Sequence, residues 1–265
     1  MVKKLAIIMM LLAGTFGAGA QKMMGHRGSL WGVENTRTAF INGALAGFDG
    51  VECDIKMTAD DRFVITHDDI LKRISPDSVD IRKHDLYYLQ NIPLKQIRGR
   101  RYYEGNLCSL DEYLDICKEY HVIPLIEIKW SSKLFSSNAH PERFNYDGIP
   151  ALLKLIEFKG MTEQAIVMTS MRGVLAEIRR LCPEINLQLL VMDKWEQSVD
   201  FCFEHGINID VRRDVVEPEK LIRTFHEKGL EVNVWCVDTE ELYDKFSKMR
   251  FDYITTNSFI PEYKN

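Results

Sequence analysis

Short apolar runs of roughly four to eight residues recur along the chain, and amphipathic segments separate them. Runs at 22–26, 50–55, 63–66, 123–128, 165–168, 187–191, 207–209, 231–237 and 253–255 predict strands. Helical patterns lie between them. Asn35 is placed to cap a helix over 36–45, and Ser109 with Glu112 forms a capping-box arrangement for 110–120. A helix over 171–181 follows Ser170. Another starts at Pro218 and stops at Gly229, and one over 240–249 precedes the last strand. Repeated strand-then-helix units with near-continuous apolar strands predict a parallel sheet with both faces covered. About eight such units fit a TIM (β/α)8 barrel. A doubly wound open sheet is the competing architecture. It opens on a glycine-rich phosphate turn, whereas the first turn here is His26-Arg27-Gly28.

The alternation breaks once. Residues 69–106 are rich in charge and tyrosine and predict a small, mainly helical insertion after the second strand region, with short helices over 85–90 and 93–98. Connections this long inside a domain are commonly functional. The insertion follows His67 directly, so a barrel would place it on the catalytic face. Its tyrosines (87, 88, 102, 103) and its arginines (98, 100, 101) would then either contact substrate or form a solvated scaffold. The candidate catalytic groups lie outside it. Trimming its outer part to a short linker is therefore expected to change which diester is preferred and to spare slow turnover of a small generic phosphodiester.

Residues 1–20 read as a secretory signal peptide: Lys3 and Lys4, an apolar stretch too short to span a bilayer, then Ala18-Gly19-Ala20. The expected mature protein, residues 21–265, is exported, periplasmic or secreted, with no membrane span. The formal charge of −5 falls to −7 when Lys3 and Lys4 leave. Such an acidic chain is a poor nucleic-acid binder, so any functional positive charge is local. Six cysteines show no CxxC pair, and their spacing identifies no disulfide. Oligomeric state leaves no signal.

Candidate chemistry gathers at strand ends. Glu52 and Asp54 alternate with Val51, Cys53 and Ile55, so the two carboxylates share one strand face. They repel unless a cation sits between them, and a hard divalent metal would supply it. His26 ends the first strand and His67 a short extra strand after the second, and both can transfer protons near neutral pH. Glu127 and Lys129 end another strand with the same period of two. The set reads as a metal-assisted site for an anionic small molecule. Asn35 reads as a helix cap first and a site residue second.

These blocks resemble the glycerophosphodiester phosphodiesterase family. The resemblance covers Met24 to about Asn257. It rests on Gly25-His26-Arg27-Gly28, Glu34-Asn35-Thr36, residues 50–55 and His67-Asp68, supported by residues 109–112, 125–129, 232–235 and 252–255. It implies a TIM barrel, a divalent cation (Mg²⁺ or Ca²⁺) and hydrolysis of phosphodiesters to an alcohol and glycerol 3-phosphate. It implies Glu52, Asp54 and Glu127 as metal ligands and His26 and His67 as the acid–base pair. Arg27 and Lys129 would bind the phosphate, with Trp235 a weaker pocket-wall candidate. Attack by a neighbouring glycerol hydroxyl would give a cyclic phosphate that water opens. Two departures stand out. Val33 replaces the proline that usually precedes Glu-Asn-Thr, and the chain after the last strand reads Asn257-Ser258-Phe259-Ile260-Pro261. Two rival functions share the pattern: a phospholipase D-type enzyme that stops at the cyclic phosphate, and a non-catalytic glycerophosphodiester-binding protein.

Overall fold

The computed structural model describes residues 21–129 and 148–257. In chain order the first half runs β1 (Lys22–Gly25), α1 (Arg37–Leu45), β2 (Gly50–Met57), β3 (Phe63–Ile65), α2 (Leu86–Gln90), β4 (Leu94–Arg98), β5 (Arg101–Gly105), β6 (Cys108–Ser109), α3 (Leu110–Glu119) and β7 (Ile123–Ile128). The second half runs α4 (Gly148–Phe158), β8 (Ile166–Thr169), α5 (Arg172–Leu181), β9 (Asn186–Val191), α6 (Val199–His205), β10 (Asn208–Arg212), α7 (Pro218–His226), β11 (Val232–Trp235), α8 (Glu240–Ser247) and β12 (Tyr253–Thr256).

Eight strands are parallel neighbours in the order β1-β12-β11-β10-β9-β8-β7-β2, and β2 pairs back with β1 to close the ring. This is the expected TIM barrel. β3 runs antiparallel to the end of β2, and β6 antiparallel to β3, so they extend the wall on one side. Two helices absent from the sequence reading complete the alternation. α4 is apolar almost all round, which hides its 3.6-residue period, and α6 has only seven residues.

Side-chain alternation divides the core. Val51, Cys53 and Ile55 of β2 face the helical shell and join its apolar layer. Met24, Leu125, Ile166, Met168 and Tyr253 form a separate apolar cluster. A polar group lies among the buried strands: the Asn233 amide donates to Gln188 Oε1 at 3.3 Å and to Thr255 Oγ1 at 3.2 Å. Asp210 is also buried, with one carboxylate oxygen unpartnered. All six cysteines are free thiols.

The insertion departs from the expected, mainly helical unit. Its first half holds two single 3₁₀ turns and α2, but residues 93–98 are no helix. β4 pairs antiparallel with β5, with Arg98 opposite Arg101 and Gly99 at φ +63° in the two-residue turn. In the folded chain burial alternates along Leu94, Lys95, Gln96, Ile97 and Arg98, the period of a strand. Leu71, Ile81, Leu89 and Leu94 form a small second core with Val33 and Val64. Val33, at the usual proline position, thus anchors the insertion to the barrel.

Candidate active site

The first barrel strand ends in a tight turn that requires glycine at position 28. Gly28 N–H donates to Gly25 O and to Glu52 O, both at 3.1 Å. Gly28 sits at φ +90°, and a Cβ there would lie 2.7 Å from the Ala39 backbone, so both conformation and space demand glycine. Arg27 also adopts a positive φ, of 52°. Its backbone N–H donates to Glu52 Oε2 at 2.7 Å. The strained turn therefore presents His26, orients Arg27 and fixes one oxygen of Glu52.

Three carboxylates meet above the barrel. Asp54 and Glu127 are register partners on β2 and β7. One oxygen from each of Glu52, Asp54 and Glu127 lies within 4.8 Å of the others. Glu52 and Asp54 are wholly buried and Glu127 is 9 % exposed. Among the described residues Glu52 Oε1 and Asp54 Oδ1 have no hydrogen-bond partner. Burial pushes the Glu52 carboxyl well above its usual range, and its neighbours Asp54 and Glu127 add to the shift. Burial and Asp54 likewise raise Glu127 to about 7. Burial works against the Asp54 carboxylate too, but Arg27 and Lys129 outweigh it and hold its pKa low. Orphaned, mutually repelling oxygens of this kind fit a hard divalent cation and offer nothing to favour zinc.

Asn35 turns out to serve the site. Its Nδ2 donates to Asp54 Oδ2 at 2.8 Å, and its Oδ1 accepts from Asp54 N at 3.2 Å. Thr36, not Asn35, caps α1, accepting from Ala39 N. The cap expected at Asn35 is therefore displaced by one residue, and the amide it frees orients a metal-ligand candidate.

The two histidines are held alike. His26 Nδ1 bonds Asn257 Oδ1 at 2.9 Å. Asn257 Nδ2 donates to Asp238 Oδ2 at 3.0 Å, so its oxygen is the acceptor and the proton sits on His26 Nδ1. Nε2 is left 3.9 Å from Glu52 Oε2. His67 Nδ1 bonds Asp68 Oδ1 at 2.7 Å. Burial and the adjacent Arg27 lower His26 to about 4, so it is neutral near pH 7. Burial also lowers His67, while Asp54 and Asp68 pull it back.

Two cations flank the carboxylates. Arg27 Nη1 bonds Glu34 Oε1 at 2.8 Å, and its Nε lies 3.2 Å from Asp54 Oδ2. Lys129 Nζ sits 2.7 Å from Glu127 Oε1 and 3.6 Å from Asp54 Oδ1. Trp235 ends β11 at the same barrel end, and its buried Nε1 has no acceptor among the described residues.

A sequence profile of the glycerophosphoryl diester phosphodiesterase family matches residues 19–260. The chain belongs to that family. Its members include a glycerophosphodiester phosphodiesterase of Caldanaerobacter subterraneus, 23 % identical over 243 residues that cover 89 % of this chain and 93 % of the relative. The barrel superposes on the family enzyme of Thermotoga maritima with a TM-score of 0.69 at 22 % identity, covering 89 % of this chain and 94 % of the other. It superposes on an Oleispira antarctica phosphodiesterase, solved with the product sn-glycerol-3-phosphate, with a TM-score of 0.72 at 19 % identity, covering 90 % and 93 %. As a member of this family, the chain is a phosphodiesterase.

His26, Arg27, Glu52, Asp54, Glu127 and Lys129 therefore converge on one barrel end, with His67 beside them. Glu34, Asp68 and Asn257 stood in recognisable blocks but had no role there. Asp238, Arg73 and Gln96 had no signal at all, and Arg98 stood only in a basic run, because their partners lie far away in the chain.

Proposed function

We propose that this enzyme hydrolyses glycerophosphodiesters to an alcohol and glycerol 3-phosphate, using a divalent cation and the two histidines. The observation that carries the reading is the pairing of three convergent carboxylates, two with orphaned oxygens, with two imidazoles whose Nδ1 atoms are both engaged. Glu52, Asp54 and Glu127 would hold Mg²⁺ or Ca²⁺. When bound, the cation supplies positive charge against the phosphate oxygens and lowers the cost of charge developing there.

The remaining chemistry belongs to the chain. Arg27 offers forked donors and Lys129 a point charge to the phosphoryl oxygens. His26, neutral and inward, takes the proton of the adjacent glycerol hydroxyl on Nε2. That oxygen bonds to phosphorus as the bond to the leaving alcohol breaks. His67 gives the departing oxygen a proton; Asp54 and Asp68 offset part of the burial that lowers its pKa. A water then surrenders its proton to His67 and opens the cyclic phosphate, and His26 returns its proton to the glycerol oxygen. Two proton carriers held in matching tautomers favour turnover over mere capture. Export from the cell, with residues 1–20 as a cleaved leader, accompanies this proposal; those residues lie outside the described ones.

The test is phosphorus NMR of glycerophosphocholine turnover. Glycerol 3-phosphate is the expected product, chelation is expected to stop its formation, and added Mg²⁺ or Ca²⁺ to restore it. His26→Ala and His67→Ala are each expected to lose about 10²-fold or more. A cyclic end product, or full activity after chelation, overturns the reading.

A further inference from the structure

We propose that Arg73, at the start of the insertion, is a positioning residue that holds Arg27 and His67 in one arrangement. The inference rests on the activity proposed above. It runs against the expectation that trimming the insertion's outer part spares slow turnover, because Gln96 and Arg98 of that part bond Glu34 and Asn257.

Arg73 follows β3 in the first 3₁₀ turn of the insertion. Its Nη1 bonds Glu34 Oε2 at 2.7 Å and its Nη2 bonds Glu34 Oε1 at 2.6 Å. The same guanidinium reaches the other side of the site, with Nε 2.9 Å from Asp68 Oδ2. Glu34 Oε1 carries Arg27, and Asp68 Oδ1 carries His67. One planar fork thus sets both the phosphate-binding arginine and a proton carrier. Fork geometry fixes direction as well as charge, which a point charge cannot do.

The hairpin β4–β5 reinforces both arms. Gln96 Nε2 donates to Glu34 Oε2 at 2.6 Å, and its Oε1 accepts from Glu34 N at 2.9 Å, gripping that residue at backbone and side chain. Arg98 donates to Ser29 O at 2.7 Å and to Asn257 Oδ1 at 3.2 Å, the atom that also holds His26. No carboxylate among the described residues forms an ion pair with Arg98. Glu34 itself is 4 % exposed, so its four side-chain contacts are shielded from water. Arg73, Gln96 and Arg98 are not within reach of the three convergent carboxylates by any recorded contact. They act on the chemistry through Glu34, Asp68 and Asn257.

A plain scaffold role makes a different prediction, and the insertion supplies its own control. Arg82 also forks onto a carboxylate, Asp80, at 2.8 and 2.9 Å, and lies 3.6 Å from Asp69, but among the described residues no hydrogen bond or ion pair joins it to Arg27 or either histidine. Arg73→Ala is expected to lower kcat/KM about 10²-fold, the scale of a roughly 1 Å misplacement. Arg82→Ala is expected to leave kcat/KM within about threefold while shifting the melt by a similar amount. Arg73→Lys keeps the charge and should recover only part of the loss.

The deciding measurement is a pair of double-mutant cycles, Arg73→Ala with Glu34→Gln and with Asp68→Asn, each read as kcat/KM on cooperatively melting protein. Losses that fail to multiply support the inference. Losses that multiply, or an Arg73→Ala enzyme within threefold of wild type, overturn it. If the alanine variant does not fold, the same cycles with Arg73→Lys decide. A wild-type enzyme inert on every glycerophosphodiester would instead overturn the activity reading, so the two failures are distinct.

Discussion

Two sets of carboxylates lie within one catalytic mouth, and the chain treats them oppositely. Glu34 receives Arg27, a forked Arg73 and Gln96. Burial disfavours its charge, but these donors outweigh burial and hold its pKa far below the usual range. Glu52 and Glu127 lie as deep, yet Glu52 keeps an orphaned oxygen and both carboxyls are pushed upward. The protein completes the first set from its own side chains. It leaves the second unfinished, which costs folding free energy and is repaid only when something positive arrives. The difference separates groups that build the site from groups that wait for a ligand.

The sharpest way to break this comparison is to neutralise one carboxylate of each set. Glu52→Gln is expected to abolish metal-supported turnover, a loss on the order of 10³-fold or more, since the residue contributes a charged ligand at the reacting centre. The metal-free variant should melt no lower than the metal-free wild type, because an uncompensated buried charge has gone. A clear drop in its melting temperature would show that Glu52 belongs with the structural set.

Glu34→Gln should behave the other way. It leaves Arg27 and Arg73 facing each other without their shared anion. Removing one partner of a buried pair costs about 3–5 kcal/mol. Arg73 is 44 % exposed, so water screens part of this and about 2–3 kcal/mol is expected. Denaturant midpoints of the metal-free proteins check it. A Glu34→Gln protein as stable as wild type would erase the distinction.

The same distinction governs what was legible in the sequence. Strands buried on both faces must be apolar, so Glu52, Asp54, Glu127 and Lys129 stood out as charges in the wrong place, and the barrel and its unfinished carboxylates could both be read. The completed set could not. Glu34 and Gln96 are 62 positions apart, and Arg98 and Asn257 are 159 apart, so their pairing exists only after the insertion folds against the barrel. The hairpin was hidden for a related reason. Half of its side chains serve the site or solvent, which removes the apolar signal and left residues 93–98 to be taken for a helix. Asp210 escaped because one aspartate in an apolar strand has no local partner. Burial, with Glu127 adding, raises its carboxyl well above the usual range.

The smallest expected effect is a dependence of metal-free stability on pH, and its sign discriminates between the sets. Glu127 titrates at about 7 in the folded chain against an ordinary value of 4.5. Between those values the folded chain keeps a proton that the unfolded chain releases. Stability from this group is therefore full below about 4.5 and lost as pH rises through 7. Glu34 has the opposite sign, and its contribution is complete once the pH exceeds the ordinary carboxylate value. His26 complicates the wild-type curve, because its lowered pKa makes stability rise between about 4 and 6.5. The quantity to measure is thus the stability gap between metal-free Glu127→Gln and metal-free wild type, in which His26 largely cancels. That gap should grow in favour of the variant from pH 5 to 7, by on the order of 2 kcal/mol, and then level off. Saturating Mg²⁺ or Ca²⁺ should reverse it at pH 7, since only the wild type keeps all three ligands. A gap that stays flat across this range would mean that Glu127 is already satisfied by Lys129 and belongs with Glu34.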